Sequence, residues 1–191
     1  MNKLLAILLL TLSLPALAAV EVEGVKFEDS VKVGAGDTVL NGAGLRKKVF
    51  FKVYSIALYL PQKQTTTAAV LAAKGPKRIA IVTLRDLTAE QFVDSLIEAL
   101  TKNHDAATMT ALKPRVDQFR KNMLSIGNAP EKSVVNLDWL PDSGTRLSFD
   151  GSAKGADIPG EDFYSALLRI WIGEDPAQAN LKDLLLGAPA N

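Results

Sequence analysis

The segment LNGAGLRKKVFFKVYSIALYLP, residues 40–61, constrains the fold more than any other part of the chain. It opens with turn-forming residues, Asn41, Gly42 and Gly44, and continues as a long β-prone run from Val49 to Leu60. Such a run belongs in a sheet. Arg46 stands at the junction, with Lys47, Lys48 and Lys52 beside it and Tyr54 and Tyr59 further along. An arginine next to so apolar a strand has two ordinary roles. It snorkels to the surface along its aliphatic stem, or it points into a cavity and holds an anion bidentately. The residues alone leave both open.

The remaining pattern alternates between strand and helix. Residues 20–39 read as strands with glycine breaks, and VEVEGVKF keeps its valines near one face if a bulge falls at Gly24. Residues 62–76 predict a short helix closed by Gly75-Pro76. KRIAIVTLRD, 77–86, predicts a central strand. Thr88 with Gln91 forms a capping box, and Phe92, Leu96, Ala99 and Leu100 make an apolar stripe behind it. Met109, Leu112, Val116, Phe119 and Met123 mark a second helix, with a break or kink expected at Pro114. Its polar face, Arg115, Asp117, Arg120 and Lys121, reads as solvated.

After Gly127 the period changes to two. Residues 133–140 and 145–151 predict a hairpin across Pro141-Asp142-Ser143-Gly144. Gly155 to Gly160 predicts a turn, about 160–172 a helix capped by Gly173, and Pro176 to Gly187 a last helix. Strands, helices, strands, helices in that order indicate an α+β domain, with helices layered on an antiparallel sheet.

The N-terminus reads as a secretory signal peptide. Lys3 precedes an uncharged stretch, Pro15 interrupts it, and Ala16-Leu17-Ala18 fits the small-x-small cleavage rule. Cleavage there makes residues 1–18 a signal peptide and residues 19–191 a single domain, expected in the bacterial periplasm or outside the cell. The formal charge is only +1, with acidic and basic residues mixed, and no basic stripe for nucleic acid is present. No further segment is long and apolar enough to span a bilayer. Cysteine is absent, which removes disulfides, thiol nucleophiles and thiolate metal ligands from consideration. Nothing in the residues sets an oligomeric state.

Few residues point to chemistry. The one histidine, His104, lies between two helical segments and reads as a loop residue. A zinc site would have to be built from carboxylates and water, so no metal and no cofactor is expected. VGAGDT, 33–38, has G-x-G but precedes a strand rather than a helix, and reads as a turn. Asp157 to Asp162 gathers carboxylates without EF-hand spacing, and the macrodipole of the following helix accounts for them. Asp138 and Trp139 alternate across a strand, with Trp139 expected in the core. Trp171 reads as core too.

Three blocks nevertheless resemble the chalcone isomerase-like superfamily: LNGAGLRKKVFFKVYSIALYLP, LDWLPDSGTRLSFDG (137–151) and IPGEDFYSALLRIWIGEDP (158–176). They occur in order across nearly all of the chain beyond the leader, and are most similar to small exported bacterial members. The resemblance implies an open-faced β-sandwich, a large antiparallel sheet with a layer of helices on one face and a ligand cleft between. In the plant isomerases an arginine after a Gly-Ala-Gly turn positions the substrate, and Arg46 holds that place. Their catalytic threonine is replaced by Tyr54. Where they have tyrosine and asparagine at a helix start, this chain has Gln91, Phe92, Glu98 and Ala99. Each lost transition-state donor costs about a hundredfold or more in rate. The resemblance therefore implies a non-catalytic protein that binds a small apolar carboxylate such as a fatty acid, held by Arg46 and Tyr54. The alternatives are an isomerase of the intramolecular lyase type and an interaction protein without ligand. On one straight strand Arg46 and Tyr54 would stand about 26 Å apart, so a shared ligand requires the chain to fold back near Lys47-Lys48 or to bend sharply.

Overall fold

The computed structural model describes residues 19–189. The expected signal peptide, 1–18, lies outside the described residues. Strands β1 (Val20–Val22), β2 (Val25–Phe27), β3 (Ser30–Val33), β4 (Gly36–Lys48) and β5 (Phe51–Leu60) open the domain, followed by helix α1 (Thr67–Ala72) and β6 (Lys77–Thr83). Short β7 (Leu87–Thr88) leads into α2 (Ala89–Lys102) and α3 (Ala106–Leu124). Then come β8 (Asn128–Ala129), β9 (Val134–Leu140), β10 (Gly144–Phe149), β11 (Ser152–Ala153), α4 (Glu161–Ile172) and α5 (Ala179–Leu185).

Seven strands form one antiparallel sheet in the order β11-β10-β9-β6-β5-β4-β3. The strand predicted to be central, β6, sits in the middle of it. One face carries Tyr54, Ile56, Leu58, Ile79, Ile81 and Leu137, and α2, α3, α4 and α5 bury them in the main core. The other face carries Tyr59, Arg78, Asp138 and Arg146 in neighbouring register. The β1–β2 hairpin covers part of that face through a smaller cluster around Phe27, Leu40 and Tyr59. This is the α+β arrangement of helices on an antiparallel sheet expected from the residues, and the open-faced form implied by the family resemblance.

Several local expectations give way to contacts distant in sequence. Asn41, Gly42 and Gly44 lie inside β4, not in a turn. Helix α5 explains the glycines: a Cβ on Gly42 would stand 2.0 Å from the Leu184 carbonyl oxygen, and one on Gly44 would stand 2.7 Å from a Leu181 methyl. The chain reverses instead at Val49-Phe50, so the β-prone run splits into a hairpin tip and β5. VEVEGVKF forms a hairpin with Glu23 and Gly24 at its turn, in place of a bulge. Pro114 sits within α3 without ending it, because Leu112, Val116, Phe119 and Met123 pack into the core on both sides of the proline.

The polar face of α3 is only partly solvated. Arg115 makes two hydrogen bonds to Asp162 at 2.6 and 2.8 Å, tying α3 to α4, and Arg120 pairs with Asp94 on α2. Asp138 is buried beside Trp139 rather than facing water, because Arg78 donates to both its oxygens at 2.6 Å. The capping box at Thr88 forms as predicted.

Gly42→Ala is expected to push α5 off the sheet and lower stability by about 1–3 kcal/mol, the usual cost of overpacking. Urea unfolding would show a lower midpoint at unchanged slope; an unchanged midpoint would mean that α5 tolerates the methyl group.

Candidate functional site

A β-bulge sets the site. Leu40 pairs with Tyr59, but Gly42 pairs with Leu58, so Asn41 is an extra residue in β4. Its side chain donates to the Leu185 carbonyl at 2.6 Å and to the Gln64 carbonyl at 2.9 Å, and accepts from the Gln64 amide at 2.6 Å. The slip of one residue moves every later side chain of β4 to the opposite face. Gly42, Gly44 and Arg46 therefore turn toward the helices. Arg46 ends up directly across the ladder from Tyr54. The hairpin reversal removes the separation that a straight strand would impose and brings the two predicted residues side by side.

Both line a cavity of about 860 Å³ between the end of the sheet and α2. Arg46, Val53 and Tyr54 come from the sheet, and Gln91, Phe92, Ser95, Leu96 and Ala99 from α2. Ile170 and the Asp175–Ala177 turn supply another wall. Lys48, Val49, Phe51 and Arg85 form an exposed rim. This is the size and mixed apolar lining of a small-molecule site, for which about 300–1,000 Å³ is ordinary.

Arg46 is half-buried. Its guanidinium Nη1 donates to the Lys47 carbonyl and, at 3.5 Å, to Gln178 Oε1. No carboxylate of the described residues lies within ion-pair distance of it. Gln178 also accepts from the Lys47 amide at 2.8 Å and donates to the Leu45 carbonyl at 3.2 Å, so it satisfies the free edge of β4 next to the arginine.

Tyr54 is 5% exposed. Its hydroxyl accepts a hydrogen bond from Trp171 Nε1 at 3.0 Å, and its ring packs against Phe92 with centroids 6.0 Å apart. Among the described residues its own proton has no acceptor. Burial raises its pKa above the ordinary phenol value, while the Trp171 indole and the Arg46 charge pull it partly back. The hydroxyl is therefore protonated at neutral pH and is a donor. A cation and a phenol donor side by side, in a site with apolar walls, are suited to an anionic oxygen.

Two contributors were not evident in the sequence. From sequence Trp171 reads as core only, and Gln178 carries no signal beyond its position two residues after Pro176. The other candidates fall elsewhere. His104 is half-buried, with Nε2 3.4 Å from the Ala166 carbonyl oxygen, and does not line the cavity. Asp157, Glu161 and Asp162 are each taken by a cation: Arg146 at 2.9 and 2.7 Å, Lys77 at 3.1 Å, and Arg115. No group of three His, Asp or Glu side chains among the described residues is placed to hold a metal.

The sequence model of the family described as chalcone isomerase-like matches residues 19–187. The chain belongs to the chalcone isomerase-like family. A crystal structure of a fatty-acid binding protein from Arabidopsis thaliana superposes with a TM-score of 0.65, covering 88% of this chain and 96% of that one. At 18% identity that likeness is one of fold. No curated protein matches the chain in sequence. Within the family fold, the cavity lies between the sheet and its helical layer, and Gln91, Phe92, Glu98 and Ala99 all line it. Of these, Glu98 is held by Lys102 at 2.9 Å.

The tyrosines give a test of this packing. All three have raised pKa values for the same first cause, burial, with Tyr59 pushed up to about 12. A phenol whose folded pKa exceeds its unfolded value contributes stability that is intact below pH about 10 and is lost as pH rises beyond it. The native protein is expected to show no tyrosinate absorbance at pH about 10, where a free tyrosine is half ionised. The band is expected to appear together with loss of helical circular dichroism. Ionisation of one tyrosine near its free value, with structure intact, would place a phenol in contact with water.

Proposed function

We propose that this protein binds a small apolar carboxylate such as a fatty acid without converting it, and that Arg46 and Tyr54 hold the carboxylate. The observation that carries the reading is the pairing of Arg46 with Tyr54 on one wall of the cavity, where the guanidinium has no carboxylate partner among the described residues. An unpaired cation at an apolar site is costly unless an anion reaches it. The Arabidopsis protein of the same fold is a fatty-acid binding protein, which agrees with this class of ligand.

A binding role is favoured over isomerisation by the cavity's chemistry. Catalysis of ring closure needs several donors aligned on developing charge. Of the α2 residues that line it, Phe92, Leu96 and Ala99 add none, and Glu98 is engaged with Lys102. Ser95 donates to the Gln91 carbonyl of its own helix at 2.9 Å, and the Gln91 side chain is held in the Thr88 capping box. A role without ligand is disfavoured by a cavity of about 860 Å³ that reaches Arg46. The leader-like residues 1–18 support export, and we place the function outside the cytoplasm on that ground; appearance of the processed chain in a periplasmic fraction would test it.

Lipid extraction of the purified protein followed by mass spectrometry is expected to recover a fatty acid, and titration calorimetry to show its binding. Hydrogen bonds to charged groups contribute about 1.5–3 kcal/mol each. Arg46→Ala is therefore expected to weaken affinity about tenfold to a hundredfold, and Tyr54→Phe by less. A protein free of lipid, with no affinity for fatty acids or with affinity indifferent to Arg46→Ala, would refute the reading.

A further inference from the structure

The β4–β5 hairpin projects an apolar tip. Among the described residues four large hydrophobic side chains are exposed, and three are consecutive here: Val49 at 78%, Phe50 at 92% and Phe51 at 61%. Burial in the core therefore does not explain them. Val49 also adopts the left-handed region, φ 58°, which a β-branched residue disfavours and which glycine or asparagine would occupy more easily. The tip thus keeps an apolar side chain where local conformation argues against one.

Cations surround it. Lys47, Lys48 and Arg85 are exposed and make no ion pair among the described residues. The Arg85 guanidinium lies 5.0 Å from the centre of the Phe51 ring. Of the acidic groups nearby, Glu23 pairs with Lys52 and Glu98 with Lys102. Asp86, which accepts from the Glu131 amide at 2.9 Å, and Asp175 are in no ion pair among the described residues, so cations outnumber free carboxylates at the tip.

We propose that this tip docks on the surface of a bilayer containing anionic phospholipid. Val49, Phe50 and Phe51 enter the boundary between headgroups and acyl chains, and Lys47, Lys48 and Arg85 meet the phosphates. An apolar wedge within a basic collar matches such an interface in both depth and charge. A second copy of the chain fits poorly, because two tips would bring like charges together. Three residues also fall far short of the roughly 800 Å² per partner in a stable protein interface. Lys48, Val49 and Phe51 belong to the cavity rim as well, so docking would set the opening against the acyl chains. That last consequence rests on the binding role proposed above, whereas docking does not.

Flotation of the purified protein with vesicles tests the proposal. Binding is expected on vesicles of phosphatidylcholine mixed with phosphatidylglycerol, weakly on phosphatidylcholine alone, and is released by salt. Phe50→Ser is expected to reduce it about tenfold, since one aromatic side chain is no longer withdrawn from water. A Lys47→Ser, Lys48→Ser double variant is expected to lose tenfold or more, because each lysine near an anionic surface contributes about fivefold. Phe50 does not line the cavity, so Phe50→Ser should bind a soluble fatty acid as the unmodified protein does. That arm separates failure of docking from failure of ligand binding. Equal flotation of both variants and the unmodified protein would overturn the proposal. Absence of any flotation would overturn it too, as would self-association abolished by Phe50→Ser without vesicle binding.

Discussion

One extra residue in β4 decides which way Arg46 faces. Without the bulge at Asn41, the arginine would fall on the face that carries Tyr59 and Arg78. With it, the guanidinium points toward the helices, opposite Tyr54. The bulge is held by Asn41 itself, whose amide bonds the last turn of α5 and the loop after β5. The same stretch supplies Gly42 and Gly44, on which α5 lies. Fixing α5 in turn places Gln178 against the edge of β4 beside the arginine. Strand register, helix docking and the orientation of one charge are thus a single arrangement.

The electrostatics of the cavity follow from it. Trp171 donates to the Tyr54 hydroxyl and so turns that phenol into a donor toward any further partner. Burial keeps its proton in place. Arg46 brings a charge whose hydrogen-bond acceptors among the described residues are neutral oxygens. Elsewhere the protein pairs its inward cations, Lys77 with Glu161 and Arg78 with Asp138. Arg46 departs from that pattern at the cavity, and the proposed carboxylate would restore it.

Much of the fold is legible in the sequence because its signals are local. The Thr88 capping box, the turn at Pro141–Gly144 and the apolar run of β6 each declare themselves within a few residues. The glycines at 42 and 44 mislead for the opposite reason: they serve a helix near the other end of the chain, and read alone they look like a turn. The bulge depends on a hydrogen bond between residues 144 positions apart, and the Trp171–Tyr54 bond spans 117. Periodicity within one strand cannot reveal either. Arg46 is a candidate from the residues themselves and gains Tyr54 as its partner through the family resemblance, yet their adjacency depends on a reversal at Val49-Phe50, where the residues favour a continuing strand.

The ionisation of a bound ligand reports most directly on the central claim, that Arg46 faces inward as an anchor for an acid. A long-chain fatty acid labelled with ¹³C at its carboxyl group, followed by NMR as pH is lowered, would give the pKa of the bound group. Beside an inward guanidinium the carboxyl resonance should titrate below its value in free solution, and Arg46→Ala should abolish the depression. A bound carboxyl group that titrates alike in both proteins, at or above its free value, would contradict the account.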